Sequence, residues 1–513
     1  MENNHFHNKA LIFASSKKKK PLKPLLIVTL TALLTAQYTF ADPWVSPGDE
    51  RTRHHIQVLA DSGKVKLPTS TWPMMWSGVA TALDRVRIED LTDQELWSYR
   101  YIKHELRRAQ KKLSAQKTTY ISNSHPALTN FSSDSREKSI ISVSATGLTD
   151  HFAVKIQGNA VQEPSDSDKF RMDGSYAAVT AGNWVLGMGA IDRWWGPGWQ
   201  NSLILSNNAR PAPGLFLKRN QSKAFSWPVL KWLGPWDIEL FGNQLESDRH
   251  IKDAKLLGGR LTLKPLKSFE VGLVRTAQWG GKGRPQDLDS LWNLAVGQDN
   301  KGEAGIDEDG SNEPGNQLAG YDWRYNFSFF GVNWAIYQQR IGDDEKDYMP
   351  FQSIDFWGTE VSFSTTHTNN RFSVEYTDTA THALKSEGKG NVVYEHSIYK
   401  SGYRHYGRAI GASTDNDSRM INLSGFHELS SGQTLYWTLA KVESNRDNSN
   451  RASPGGSNFS PTGVDYNFAE IELKLPVTDN TLIGVGGSYV DEKISLMDQA
   501  TESKVHASLN IRF

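Results

Sequence analysis

From about Lys138 to the last residue, apolar and polar side chains alternate with period two. Phe372, Val374 and Tyr376 alternate with Ser373, Glu375 and Thr377. Leu435, Trp437 and Leu439 alternate with Tyr436, Thr438 and Ala440, and Ala469, Ile471, Leu473 and Leu475 with Glu470, Glu472 and Lys474. Successive side chains of a strand point to opposite faces, so each run predicts a strand with one apolar and one polar face. A half-buried soluble sheet would alternate too. Here the pattern persists to the C-terminus with almost no helical stretch. Short turns such as Thr478-Asp479-Asn480 also alternate with long polar segments, Gly297–Gln317 and Ser444–Gly463. Short connections at one end and long loops at the other predict a transmembrane antiparallel β-barrel of the bacterial outer membrane. About 375 residues at roughly 20 per strand and connection predict about 18 strands. The last run, Val505, Ala507, Leu509, Ile511 and the terminal Phe513, resembles the assembly signal of bacterial outer-membrane proteins.

Residues 42–130 read differently. Thr92-Asp93-Gln94-Glu95 is a capping box, in which the Thr hydroxyl and the Glu carboxylate satisfy orphan backbone amides. Leu96, Tyr99, Ile102, Leu106, Ala109 and Leu113 follow at steps of three and four, predicting a helix from Thr92 to about Gln116. A shorter helical pattern from Gly48 to Asp61 ends at Gly63, a suitable C-cap. These residues are expected to form a small helical bundle. A barrel of this strand number leaves an aqueous lumen unless something plugs it, and the bundle and the long loops are the candidates. The expected organisation is therefore 1–41 signal peptide, 42–130 helical plug and 131–513 barrel.

The leader reading rests on Lys17, Lys18, Lys19, Lys20 and Lys23, followed by the apolar run Leu25–Leu34 and the small residues Thr39 and Ala41. That is the tripartite form of a secretory signal peptide cleaved after Ala41. Its apolar core is too short to span a bilayer. The chain has 513 residues, no cysteine, 57 Lys+Arg and 57 Asp+Glu. Without cysteine there are no disulfides, thiolate metal sites, Fe–S clusters or cysteine nucleophiles. Removing the lysine-rich leader leaves a mildly acidic chain, unlike the basic footprint of a nucleic-acid binder. A mean hydropathy of −0.53 beside 17 Trp, 17 Tyr and 21 Phe fits hydrophobicity hidden by alternation.

No catalytic motif stands. There is no Walker loop, G-x-S-x-G or H-E-x-x-H, and His427-Glu428 lacks the second histidine of a zincin. The acids Asp299, Glu303, Asp307, Glu308, Asp309 and Glu313 could attract Ca²⁺ but lack EF-hand spacing. They read as a solvated loop. No catalytic residue, metal or cofactor is expected.

Three segments are distinctive. The first is Asp42-Pro43-Trp44-Val45-Ser46-Pro47-Gly48-Asp49, followed by Ile56–Gly63 and Thr71-Trp72-Pro73. The second is Asp192-Arg193-Trp194-Trp195-Gly196-Pro197-Gly198-Trp199, running into Leu205-Ser206-Asn207-Asn208-Ala209-Arg210-Pro211. The third is Tyr403-Arg404-His405-Tyr406-Gly407-Arg408-Ala409-Ile410-Gly411. With them the chain resembles the capsule assembly Wzi family of outer-membrane proteins over nearly its whole mature length. The resemblance implies an 18-stranded barrel occluded by loops and a periplasmic bundle. It also implies a lectin without enzymatic activity that attaches capsular or exopolysaccharide to the cell surface. The loops Gly297–Gln317 and Ser444–Gly463 match no family pattern.

Residue chemistry agrees with that implication. Trp and Tyr rings suit the C–H faces of sugars, and Arg offers a forked donor to uronate carboxylates. Arg193, Trp194, Trp195 and Trp199, with Tyr403, Arg404, Tyr406 and Arg408, are the candidates for polysaccharide contact or for shaping the surface that makes it. The competing reading places them in the lumen or girdle as structural residues. Expected partners are polysaccharide, outer-membrane lipid and lipopolysaccharide, with no nucleic acid and a monomeric chain. The alternative function is a sugar-selective outer-membrane porin; an outer-membrane lipase has the least support.

Overall fold

A computed structural model describes residues 42–296, 315–346, 349–382, 391–448, 460, 462–496 and 499–513. The leader, the acidic residues 299–313 and most of the segment 444–463 lie outside these. The rest closes into an antiparallel barrel of 18 strands. Each strand pairs with its sequence neighbours, and the first, Leu113–Ser122, pairs with the last, Gln499–Arg512, through His506↔Ser122 to Arg512↔Gln116. The two-residue strand Phe170–Arg171 is an interrupted extension of the strand Tyr176–Ala181, both pairing with Phe152–Gln162.

The alternation is inverted relative to a soluble protein. In the strand Thr368–His382 it is Arg371, Ser373, Glu375 and Thr377 that are buried, whereas Val374 is 41% exposed. Likewise Ile421, Leu439, Ile471 and Val505 face outward. Apolar residues can be exposed around a closed wall only if lipid covers them. A closed barrel also leaves no strand edge unpaired, as a hydrocarbon surrounding demands.

The lumen is filled from both ends. Three helices, α1 (Glu50–Asp61), α2 (Trp76–Leu83) and α3 (Asp93–Ala109), sit at the end that carries the short turns and Phe513, which is the periplasmic end. The capping box is formed as expected, with Glu95 N–H donating to Thr92 Oγ1 and Thr92 N–H to Glu95 Oε2. Gly63 takes φ +71° past the end of α1. Helix α1 is buried on almost every side although it is largely polar. It can be so because its partners line a polar lumen: Arg51 and His55 meet Glu428, Glu50 meets Arg371, and Asp61 meets Arg324. The apolar side of the bundle packs Ile102 and Leu106 of α3 against Ile56, Leu59, Val79 and Leu83.

The helical region is shorter than its pattern predicts. The expected helix to about Gln116 and the boundary at 130/131 are both corrected: α3 stops at Ala109, and the barrel begins at Leu113. Leu113 satisfies the helical stripe and the strand alternation equally. The choice is made by the ladders on both sides, with Ser139–Leu148 and Gln499–Arg512, which no local pattern announces.

From the other end, the long loop 190–213 descends the lumen to the helices. Trp194↔Trp72 and Trp195↔Thr71 form a two-residue antiparallel bridge. Gly196 N–H donates to Ser70 O at 2.9 Å, and Arg53 Nη2 to Pro197 O at 2.8 Å. Gly198 is required here, since a Cβ would collide with the Asn201 carbonyl and the Phe356 ring. The loop 391–418 lies over it: Tyr403 Oη donates to Ile204 O at 2.8 Å and Ser206 N–H to Ile410 O at 2.9 Å.

Candidate functional site

The structure divides the eight sequence candidates into two groups. Arg193, Trp194, Trp195, Trp199, Tyr403 and Arg404 are all buried, none more than 4% exposed. Arg193 Nε donates to Glu239 at 2.7 Å, where Lys218 also bonds, and its guanidinium lies 4.5 Å from the Phe241 ring centre. Trp194 Nε1 donates to Gly198 O at 3.0 Å, and Trp195 packs on Phe241. Trp199 lies between two guanidiniums, Arg53 at 3.9 Å and Arg371 at 3.3 Å, while its Nε1 donates to Glu360 at 2.5 Å. Arg404 makes a fork with Asp415, at 2.9 and 2.8 Å, and a 2.6 Å bond to Glu395. These six cannot stack on a sugar. Glycan contact is corrected for them to an internal role: they hold the two inserted loops to the wall and to the helices. The same Trp, Tyr and Arg chemistry that suits a sugar also suits a polar lumen that must be filled.

Tyr406 and Arg408 are different. Both are half-buried at the long-loop end, and both join a network of arginines and carboxylates. The Arg210 guanidinium lies 4.4 Å over the Tyr406 ring and bonds Asp173 at 2.9 and 3.1 Å, Asp166 at 2.5 Å and Asp168 at 3.0 Å. Arg408 Nη2 donates to Arg136 O at 2.7 Å. Arg136 in turn donates to Asp192 at 2.6 Å and to Asn207 O at 3.0 Å. Arg171 bonds Glu137 at 2.9 Å and Asp166 at 2.6 Å. Loops 123–138, 163–175, 190–213 and 391–418 are thereby tied into one rim. Burial pushes the Asp166 carboxyl up, but the bond from Arg210 and the Arg171 charge outweigh it and hold it below the usual range. Burial pushes Asp192 up, and Arg136 only partly offsets this.

Below the rim a polar cavity of about 470 Å³ follows the inner wall. Arg136, Asp173 and Asp192 line it at the rim, Gln157 and Asn159 along the wall, and Glu105 and Arg512 at the periplasmic end. That is ligand-sized. Amides, carboxylates and guanidiniums held rigid by one another present fixed donors and acceptors to hydroxyl-rich rings, and a pre-organised surface loses little freedom on binding. Asp168 keeps half its side chain open to solvent although it bonds Arg210. Among the described residues no group of three or more His, Asp or Glu side chains is arranged to hold a metal ion.

Sequence reasoning missed Arg136, Asp166, Asp173 and Arg210. Arg210 was within reach, because it ends the Asn207-Asn208-Ala209-Arg210-Pro211 run. The other three carry no local signal; only loop packing brings them to the rim. The acidic segment 297–317 falls almost wholly outside the described residues.

The sequence profile of the family described as capsule assembly protein Wzi matches residues 108–507. A Klebsiella pneumoniae protein, described as an uncharacterized 55.8 kDa protein in the cps region, is 32% identical over 321 residues. That match covers 61% of this chain and 60% of the relative, less than two thirds of its length. A solved structure superposes with a TM-score of 0.80 and 24% identity, over 92% of this chain and 99% of the other. It is Wzi, an outer-membrane protein involved in group 1 capsule assembly in Escherichia coli, described as a carbohydrate-binding β-barrel. At that identity the likeness establishes a shared fold.

Proposed function

The chain belongs to the capsule assembly protein Wzi family, and from that premise we propose that it is a lectin of the outer membrane, without enzymatic activity, that attaches capsular or exopolysaccharide to the cell surface. Its wall faces outer-membrane lipid and lipopolysaccharide, and it works as a monomer with the helices toward the periplasm. The observation that carries the reading is the rim. Arg210, Tyr406, Arg408 and Arg136 bring guanidiniums and an aromatic ring together above a polar cavity, on three loops that are tied to one another and, through Arg210 and Asp168, to the loop 163–175. Retention of a long polymer needs only modest affinity per contact, because repeated contacts along one chain multiply.

The porin alternative asks for an open lumen. Instead the Trp194–Trp195 bridge to Thr71–Trp72 and the Arg53–Pro197 bond join inserted loop to helices inside the barrel. The test uses a strain that makes polysaccharide but lacks this protein, complemented with wild type, Arg136→Ala or Arg210→Ala. Wild type should restore cell-bound polymer. Each variant should fold as a heat-modifiable barrel yet release several-fold more polymer into the medium. Unchanged cell-bound polysaccharide in the deletion strain refutes attachment; normal retention by both folded variants removes the rim from the site.

A further inference from the structure

The barrel wall is not of even height. Three consecutive strands, Tyr176–Ala181, Trp184–Gly189 and Gly214–Arg219, have six residues each, whereas Val332–Lys346 has 15 and Met349–Ser364 has 16. Six residues rise about 20 Å along the strand, or roughly 15 Å across the membrane at the usual tilt, against an apolar band of about 25 Å. The outward side of this sector is still apolar, with Trp184, Leu186, Met188 and Leu215 exposed.

At the periplasmic end of this sector the connection 220–235 does not turn inward. Asp237 and Glu239 point into the lumen, so Trp236 points out, and Lys218 likewise points in while Arg219 points out. Phe225 stacks on the outer Trp236 ring at 4.5 Å and 11°, and the Arg219 guanidinium lies 3.5 Å from the same ring. An Ala224↔Pro235 bridge closes the base. The segment is therefore a flap folded over the outside of the wall. Its own outer surface carries Trp227 at 60%, Val229 at 59% and Trp232 at 67% exposure, with Leu266 at 60% beside its end. Its charges are Lys223 and Lys231, both exposed, and it contains no acid.

We infer that residues 221–235 form a membrane-interface anchor, seated in the periplasmic leaflet against phospholipid. Indole rings favour the headgroup boundary, where an apolar body and a polar N–H are both accommodated. Lys223 and Lys231 are placed to meet lipid phosphates at the same depth. The flap continues the lipid-facing surface where the strands are too short to complete it. It offsets a local mismatch that would otherwise thin the bilayer. Just before the flap, Ser77 at the start of α2 donates to Asn220 O at 3.0 Å, so the base of the flap adjoins the helical plug.

The absence of native cysteine makes the test direct. Full-length Val229→Cys and Ser431→Cys, the latter in an exposed periplasmic turn across the barrel, are spin-labelled and placed in phosphatidylethanolamine–phosphatidylglycerol vesicles. At one chain per vesicle, the Val229 site should be shielded from a water-soluble relaxant and open to a lipid-soluble one. The Ser431 site should behave oppositely. Water exposure of the Val229 site equal to that of Ser431 overturns the inference. So does shielding that develops only at high protein density, which would mark a contact with a second copy. If Val229→Cys does not fold, Trp227→Cys reports on the same surface by the same criterion.

Discussion

Replacing Trp199 by alanine removes the slab that separates Arg53 from Arg371, and the consequence is a leaking barrel. Both guanidiniums lie within 4 Å of the indole ring centre, one on α1 and one on the wall. The indole N–H is also lost to Glu360, although Glu375 keeps the backbone N–H of residue 199. Truncating a buried Trp costs about 3–5 kcal/mol through lost burial and the cavity left behind. Each desolvated cation–π contact contributes about 2 kcal/mol of that order, not additively. Taking about 4 kcal/mol, the docked state of loop 190–213 weakens roughly a thousandfold relative to undocked states. The wall should survive, because its ladders do not pass through Trp199. In a planar bilayer the wild-type protein should pass little or no current. Trp199→Ala should pass a steady or flickering current, and Trp199→Phe, which keeps an aromatic slab, should stay near wild type. A folded Trp199→Ala variant as silent as wild type would refute the argument. So would a wild-type protein that conducts like an open pore.

Two further outcomes are expected. Arg404→Met removes the guanidinium that bonds both Glu395 and Asp415 in the buried loop, a loss of about 3–5 kcal/mol for a broken buried pair; limited proteolysis should then cut within 391–418 while the barrel stays heat-modifiable. Burial pushes the Asp417 carboxyl from 3.8 to about 7, against the opposing N–H bond from Asn391 and with Asp447, Glu395 and Asp415 adding to the rise. The folded loop therefore holds a proton that the unfolded loop releases at lower pH, so the contribution of Asp417 to loop stability is fully present below about pH 4 and is lost as pH rises through about 7. Hydrogen exchange of 391–418 at pH 5 and pH 8 should show this loss of protection, and Asp417→Asn should flatten it.

What the residue order alone determined is whatever rests on local period. Alternation at every second residue from 138 onward is a property of the strand itself, so the barrel was legible before any partner was known. The Thr92/Glu95 capping box and the Gly63 cap were legible for the same reason, since each closes within a few residues. The Arg-Trp-Trp-Gly-Pro-Gly-Trp run was legible as a family signature, but not its depth in the molecule. Trp199 becomes structural only because Arg53, Glu360 and Arg371 reach it from across the lumen. An indole between guanidiniums and an indole awaiting a sugar are the same letters in a sequence. The strand at Leu113 was hidden because its ladders come from residues 139–148 and 506–512, and non-local pairing overrides a helical stripe. The rim was hidden likewise: Arg136, Asp166, Asp173 and Arg210 lie on three separate loops, brought together with the loop of Tyr406 and Arg408 by closure of the barrel. Tertiary structure decided the site because a closed wall turns its polar side inward, and the charged groups so enclosed must find one another across the lumen.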